Sequence, residues 1–504
     1  MGIPSYFHFL LKNHRSILTP KQQVRCDDLF VDANSLIYDC IHELKTIQSY
    51  EQVYQMVYDR VLLLIKTTNP TRKTYICFDG VPPFPKMVQQ RQRRFKSVLT
   101  KHILNEPPSS SWNTNHITPG TTFMMGLDEY LIDMFKSHSS IVFSGTNEPM
   151  EGEHKICNMI RSDPSVYKGK NIMIYGLDAD LIMLGLLLQG EEFTIYLYKE
   201  TKHFQYISHV DENMDYYFNV DVLAKEIMHL LNHTDKTQSI CDYIFICFMC
   251  GNDFMPHIPC VSIRNDGILT LIDVYKETNL PLIDTKTRTI QWKHFYNFLQ
   301  KLEENEDTYI LENIQWKLDR KKSVRANTPE DRLNWLPCMD TEKEKYLRNH
   351  LDEYNEYILE TNDVKELCIN YLQVLEWTWY YYNGENRNNR IYYHYPYGPR
   401  IKDLKLHVPL FNEANIMKTD LTQPDLDVYT QLYYVLPYEN HQEIIPPSIY
   451  DSTHSTIYHY MPEMKEMNYE FCYFLCKYFW ESHLNMTPLS IDALNTIVKK
   501  CSYT

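Results

Sequence analysis

Carboxylates recur in this chain at positions where they could act together. Asp32 follows the apolar run Leu29-Phe30-Val31, with Asn34 beyond it, and Asp79-Gly80 follows Tyr75-Ile76-Cys77-Phe78. Glu151-Gly152-Glu153 precedes a helical pattern, and Asp178-Ala179-Asp180 follows the run Asn171 to Tyr175. Asp253 closes the apolar run Tyr243 to Cys250 through Gly251-Asn252. One Asp at a strand end is ordinarily a cap or turn residue; recurrence at successive strand ends is what points to a shared cleft. Like charges a few ångströms apart raise each other's pKa, so such a cluster calls for bound cations. All-oxygen donors suit Mg²⁺, with Mn²⁺ able to substitute. Two such ions about 3.5–4 Å apart would stabilise the attacking and leaving oxygens of phosphodiester hydrolysis. In extended backbone, i, i+2 spacing would let Glu151 and Glu153 face one way, and Asp178 and Asp180 likewise.

A second chemistry follows directly. Between Val81 and Asn105 there is no Asp or Glu, while Lys86, Gln90, Arg91, Arg93, Arg94, Lys96 and Lys101 all fall there. Pro82, Pro83 and Pro85 suit the entry to a helix, whose first N–H groups lack partners. On that helix Lys86, Gln90, Arg93 and Arg94 share one face. An ammonium, an amide and two guanidinium groups together match a phosphate, where an unselected basic run would be a solvated face.

The elements that must position these groups read as α/β over residues 1–275, with short strand-like runs alternating with amphipathic helical stretches. Strands are expected at Leu29–Val31, Tyr75–Phe78, Ser140–Phe143 and Asn171–Tyr175, each ending near an acidic or glycine residue. In open α/β sheets ligands gather beyond the carboxyl ends of the strands, which gives that coincidence a physical meaning. Residues 276–365 are charge-dense and helical in pattern, a connecting region. Residues 366–504 regain aromatic density, as in Trp377-Thr-Trp379-Tyr-Tyr-Tyr382.

Composition narrows the classes. A net charge of −15 argues against a broadly basic nucleic-acid binder, leaving local fields to decide. No stretch reaches the ~18 uninterrupted apolar residues of a membrane span. The N-terminus lacks a secretory pattern, and 13 scattered cysteines fit reduced thiols, so an intracellular protein is expected, in cytoplasm before nucleus. Cys247-x-x-Cys250 reads as core, Tyr392–Tyr397 as core packing, and His154 and His257 as local hydrogen-bonding groups. The run Arg320-Lys-Lys322 with Arg325 is too small for a targeting signal.

These residues together resemble the XRN family of 5′→3′ exoribonucleases, within the wider 5′-nuclease (flap endonuclease-like) superfamily. The matching stretches are Met1–Tyr6, Val31–Asn34, Phe78–Phe95, Glu151–Lys155, Tyr175–Gly185 and Cys250–His257. The resemblance implies a PIN-like core with a mostly parallel central sheet flanked by helices, and an α-rich second block, 366–504, packed on it and completing an active-site channel. It implies hydrolysis of 5′-monophosphorylated single-stranded RNA to mononucleotides, in mRNA decay, with two Mg²⁺ ions per site. Asp32, Asp79, Glu151, Glu153, Asp178, Asp180 and Asp253 are carried over as metal ligands, and Lys86, Gln90, Arg93 and Arg94 as the 5′-phosphate pocket. It further implies a monomer that works with the decapping machinery, away from membranes, as a catalytic core without the accessory modules of larger members.

The chain departs from the family's pattern in places. Tyr38 stands where a His that stacks on the terminal base is usual, Asn389 and Ile391 where tryptophans are usual, and Met150 where Gly is usual. The alternatives are a structure-specific 5′ nuclease acting on DNA flaps, and an inactive protein that binds RNA 5′ ends.

Overall fold

The computed structural model describes every residue except 1, 2, 4, 45, 46, 106–111, 177, 189–191, 199–213, 322–324, 362, 386–389, 411–415, 417–423, 466–468, 503 and 504. Asn389 therefore lies outside the described residues. The chain packs as two compact units, each drawn from three stretches. One takes His14–Leu223, Gln423–Asn468 and Thr487–Thr504; the other takes Met1–Asn13, Ala224–Thr422 and Tyr469–Met486.

The first unit is built on a seven-stranded sheet. Its strands are β1 (Leu18–Pro20), β2 (Asp28–Asp32), β3 (Thr74–Cys77), β4 (Ile141–Ser144), β5 (Asn171–Tyr175), β6 (Thr194–Tyr198) and β7 (Tyr216–Asn219), in the order β1-β7-β6-β5-β2-β3-β4. The five strands from β6 to β4 are parallel, and β7 runs antiparallel to both β6 and β1. Strands covered on both faces read as continuous apolar runs, which is why Leu29-Phe30-Val31 and Ile172-Met173-Ile174 show no alternation. The strands expected from sequence are β2 to β5.

Against the sheet pack Leu36 and Ile37 of the helix Asn34–Glu43, Val57 and Val61 of Tyr50–Thr68, and Phe123, Leu127 and Leu131 of Thr122–Phe135. Their partners are Leu29, Val31, Ile76, Phe78, Met173 and Tyr175. Elsewhere on the sheet Phe30 stacks on Tyr75 with ring centroids 4.3 Å apart. Asp32 lies opposite Cys77, Cys77 opposite Ser144 and Val31 opposite Tyr175, so the central strands end level. The chain leaves β2 toward β3 and returns to its other side as β5. The crevice beyond β2 and β5 is therefore a topological switch point, the place where such sheets bind ligands.

The second unit is mainly helical. Residues 276–365 contribute the helices Trp292–Glu303 and Glu306–Lys321 and shorter ones after them, in keeping with their pattern. The helix Val364–Tyr382 buries Tyr371, Trp377, Trp379, Tyr380 and Tyr382, and Trp377 stacks on Tyr381 at 4.8 Å. Within the later aromatic run Tyr393 and Tyr397 are buried core residues. Asp242 ties two elements of this unit together. Its carboxylate accepts from Tyr275 Oη at 2.6 Å, Gln238 Nε2 at 2.9 Å, and the N–H groups of Leu282 and Ile283 at 3.0 and 2.9 Å.

The cysteines are free thiols, all buried except Cys501, and Cys247 and Cys250 lie in the core. Among the described residues, no helix is long and apolar enough to cross a membrane.

Candidate active site

The level ends of β2, β3, β4 and β5 bring most of the sequence-predicted carboxylates into one place. Asp32 is the last residue of β2 and Asp79 stands two residues past β3. Glu151 caps the helix Gly152–Ser162, with Glu153 in its first turn, and Asp180 opens the helix Asp180–Leu187. Glu151, Glu153 and Asp180 are buried, whereas Asp178 is exposed.

Both acidic pairs correct the extended-backbone expectation. Gly152 and Asp180 are helical, so each pair straddles a helix N-terminus, not a strand. The reason is electrostatic: the unpaired N–H groups of a first turn favour negative charge. Gly152 shows it directly, its N–H donating to Asp79 Oδ1 at 2.7 Å.

Asp79 is held from a second side by a group the sequence reading left without a role. Asn34 Nδ2 donates to Asp79 Oδ2 at 2.8 Å, and the Asp79 N–H donates to Asn34 Oδ1 at 3.0 Å. Lys155 was missed as well. Its buried ammonium donates to the carbonyls of Phe78 at 2.8 Å and Gly145 at 2.7 Å, clamping the exits of β3 and β4. Its signal was position: it lies one helical turn after Glu151, facing back toward the strand ends.

Burial, and then mutual repulsion, act throughout the cluster. Desolvation, then Asp79, Asp178 and Glu151, push the Asp32 carboxyl well above the usual carboxylate range. Desolvation and Glu151 push Asp79 up to about 6, against the Gly152 N–H, Lys86 and Lys155. Glu153 is raised by desolvation, then by Asp180 and Glu151. Its Oε2 is buried without a hydrogen-bond partner. Glu151, Glu153 and His154 offer ligand atoms within 4.8 Å of one another. Desolvation lowers His154 to about 3, so its imidazole is neutral. Crowded carboxylates that oppose one another's ionisation, with an unsatisfied buried oxygen, are a donor set that fits a divalent cation.

Two glycines keep this crowding possible. A Cβ on Gly152 would stand 2.6 Å from Asp32 Oδ1, and one on Gly80 would stand 1.7 Å from the Glu148 carbonyl oxygen. Met150 takes the left-handed conformation, φ 89, at the position before Glu151. Two backbone hydrogen bonds fix it to the Gly80 turn: the Gly80 N–H donates to its carbonyl at 2.8 Å, and its own N–H donates to the Val81 carbonyl at 2.9 Å.

The basic stretch forms the helix Phe84–Ile103, with Pro83 at its cap. Lys86 is buried and its Nζ lies 2.7 Å from Glu151 Oε2, joining this helix to the carboxylate cluster. Gln90 Oε1 and Arg94 Nη1 are buried without hydrogen-bond partners. An amide whose orientation is interchangeable and a guanidinium N–H left unpaired together suit an anion. Burial lowers Arg94 to about 10, with Tyr38 opposing that and Arg93 adding to it. Tyr38 and Arg93 therefore lie within electrostatic reach of the pocket; Arg93 is exposed. Arg91 points the other way, its guanidinium 5.1 Å from the Phe95 ring and 5.3 Å from that of Tyr434.

Asp253 belongs to the other unit. The apolar run before it is the end of the helix Lys236–Cys247 and a 3₁₀ turn, Phe248–Cys250, not a strand.

Comparison with known proteins adds to this geometry. Residues 1–199 match the family described as XRN 5′-3′ exonuclease N-terminus, and residues 233–335 the Xrn1 helical domain. Similar curated proteins include 5′-3′ exoribonuclease 2 of Kluyveromyces lactis, 29% identical over 416 residues, covering 65% of this chain and 42% of that one. 5′-3′ exoribonuclease 1 of Saccharomyces cerevisiae is 32% identical over 321 residues, covering 56% and 21%. 5′-3′ exoribonuclease 1 of Homo sapiens is 26% identical over 511 residues, covering 81% and 30%. The chain thus spans less than half the length of these relatives. Among solved structures, the catalytic core of Rad2 with DNA substrate aligns over 71% of this chain and 86% of that one, with 14% identity and a TM-score of 0.34.

Proposed function

Because the chain belongs to the XRN 5′-3′ exonuclease family, we propose that it is a divalent-metal-dependent 5′→3′ exoribonuclease that degrades 5′-monophosphorylated single-stranded RNA to mononucleotides in RNA decay. The observation that supports this reading best is the 2.7 Å contact between Lys86 and Glu151, which couples a phosphate-suited helix to a carboxylate cluster. An enzyme that removes one nucleotide from a strand's end needs that coupling, because the terminal phosphate sets which bond reaches the reactive centre.

In this reading Asp32, Asp79, Glu151, Glu153, Asp178 and Asp180 hold Mg²⁺ or Mn²⁺, two ions per site; Asp253 is a further candidate ligand by the family's pattern alone. Bound cations supply Lewis acidity and a more acidic water for attack on the phosphodiester. The chain's own groups do the rest. Lys86 balances the charge of Glu151 and lies where the two functions meet. Gln90, Arg93 and Arg94 receive the 5′-phosphate, and Tyr38 offers a ring on which the terminal base stacks. Asn34 and the Gly152 N–H fix the rotamer of Asp79, and Lys155 fixes the strand exits that carry it.

The test is a 3′-labelled single-stranded RNA bearing either a 5′-monophosphate or a 5′-hydroxyl, incubated with the protein and Mg²⁺ or EDTA. Mg²⁺-dependent loss of the phosphorylated strand alone, with mononucleotides released, is expected. Binding of the phosphorylated end without cleavage would overturn the enzymatic reading.

A further inference from the structure

In the mainly helical unit, a loop joins the paired strands Tyr469–Cys472 and His483–Met486. Glu481 in that loop ties it into a fixed shape. Its Oε2 accepts from the N–H groups of Lys477 at 2.7 Å and Tyr478 at 3.3 Å, and its Oε1 accepts from Arg264. What this knot presents is a row of rings alternating with cations. Lys477 Nζ lies 5.7 Å from the Trp335 ring and 4.5 Å from that of Tyr478. The Arg264 guanidinium lies 5.5 Å from Tyr478 and 5.8 Å from Trp480. Trp335 and Tyr478 have centroids 4.7 Å apart, and Tyr478 and Trp480 stack at 5.9 Å and 16°.

Two features set this row apart from a packing cluster. The ring at its end, Trp480, is 43% exposed, where a core aromatic would be covered. The Lys477 ammonium makes no ion pair among the described residues and lies over the faces of two rings. The row also borders a cavity that Arg264 and Glu481 line together with Met255, Tyr397 and Phe474.

We propose that the row Trp335, Lys477, Tyr478, Arg264, Trp480 is a binding platform for single-stranded RNA, separate in chain and unit from the 5′-phosphate pocket. A single strand alternates flat, polarisable bases with phosphate anions, and this row alternates rings with cations. Every base has a π-face, so stacking binds without regard to sequence, and the cations follow the backbone. In a chain of net charge −15, a local cationic row is a place where a polyanion can settle. Duplex RNA, with its bases already stacked, fits the row poorly.

The proposal takes RNA as its ligand from the exonuclease reading, but its test does not depend on hydrolysis. Binding of a 5′-hydroxyl single-stranded RNA is measured in EDTA by fluorescence anisotropy, so that neither the phosphate pocket nor the metal site contributes. Trp480→Ala is expected to weaken binding about tenfold, the scale of one lost base stack, and Lys477→Ala to weaken it and make it less sensitive to salt, both with unchanged circular dichroism. Trp480→Phe is expected to keep most of the affinity, since a ring remains. If Trp480→Ala and Lys477→Ala both bind like the parent protein, or if Trp480→Phe loses as much as Trp480→Ala, the platform is overturned. A parent protein that binds this RNA through Trp480 yet never cleaves a phosphorylated strand would overturn the exonuclease reading and leave the platform standing.

Discussion

Gly152 lies directly beneath Asp32: a Cβ there would stand 2.6 Å from Asp32 Oδ1, and 3.0 Å from the Cys77 carbonyl oxygen. Alanine suits a helix's first turn better than glycine, so Gly152→Ala separates site from fold. The added methyl must displace the Asp32 carboxylate. Nuclease activity and divalent-cation affinity are expected to fall about 10- to 100-fold, as when a ligand's orientation is lost, with little change in the melting curve. Isothermal titration with Mn²⁺ and a thermal melt of the same sample decide it; intact Mn²⁺ binding would remove Asp32 from the metal site.

Burial of the carboxylates, with their mutual repulsion, sets a pH dependence whose sign can be worked out. The folded-state pKa of Asp79 is raised from 3.8 to about 6, so between those values the folded chain holds more protons than the unfolded one. Stability of the metal-free protein therefore falls as pH rises from about 4 through about 6, the reverse of a salt-bridged carboxylate. In EDTA the melting temperature is expected to drop across that window, Mg²⁺ should recover it most at neutral pH, and Asp79→Asn should flatten the slope. A melting temperature that rises across the window would contradict the crowding.

The basic helix predicts end selectivity. Arg93→Ala combined with Arg94→Ala should erase the preference for a 5′-phosphate over a 5′-hydroxyl, while cleavage of the 5′-hydroxyl strand stays at its low parental level. Rates on paired substrates measure this. A surviving preference would place the phosphate pocket elsewhere.

Met150 holds a left-handed φ that costs a side-chain-bearing residue about 1–3 kcal/mol. Met150→Gly removes that cost and gives back part of it in unfolded-state entropy. Its stability in urea is expected to match the parent or exceed it by up to about 1 kcal/mol. Met150→Ala keeps the strain and loses the contact between Asn158 Nδ2 and Met150 Sδ, 3.4 Å, so it should fall below both. The reverse order would show that the conformation is not strained.

In the mainly helical unit Asp242→Ala should cost about 3 kcal/mol or more, because it leaves the Tyr275 hydroxyl and two buried N–H groups without an acceptor. Chemical denaturation monitored by tryptophan fluorescence measures it, since Trp377 and Trp379 lie in this unit.

The sheet was legible because its strands are covered on both faces, so β2 to β5 stand out as short apolar runs that end at or near Asp, Ser or Gly. The carboxylates were legible as types and positions. Their backbone was not: i, i+2 spacing suits a strand, and only the tertiary contact of the Gly152 N–H with Asp79 shows why a helix begins there. Asn34 and Lys155 were not assigned because their partners are a side chain on the neighbouring strand end and two main-chain carbonyls, which spacing does not encode. The strain at Met150 shows only as a backbone angle, since Met has no conformational signature of its own.

The unit that carries the carboxylate cluster is closed by chain that comes late. Tyr434 of the helix Val428–Val435 makes edge-to-face contact with Phe84 and faces Arg91, both on the phosphate-suited helix, and the helix Ile491–Ser502 packs on Val428–Val435 and on Pro447–Tyr460. On the ribosome, the sheet and its acids emerge more than 200 residues before this closing layer. The unit cannot reach its final packing until those helices have left the exit tunnel. Until residues 428–502 have been made, the phosphate-suited helix lacks the aromatic layer that Tyr434 lays against Phe84 and Arg91.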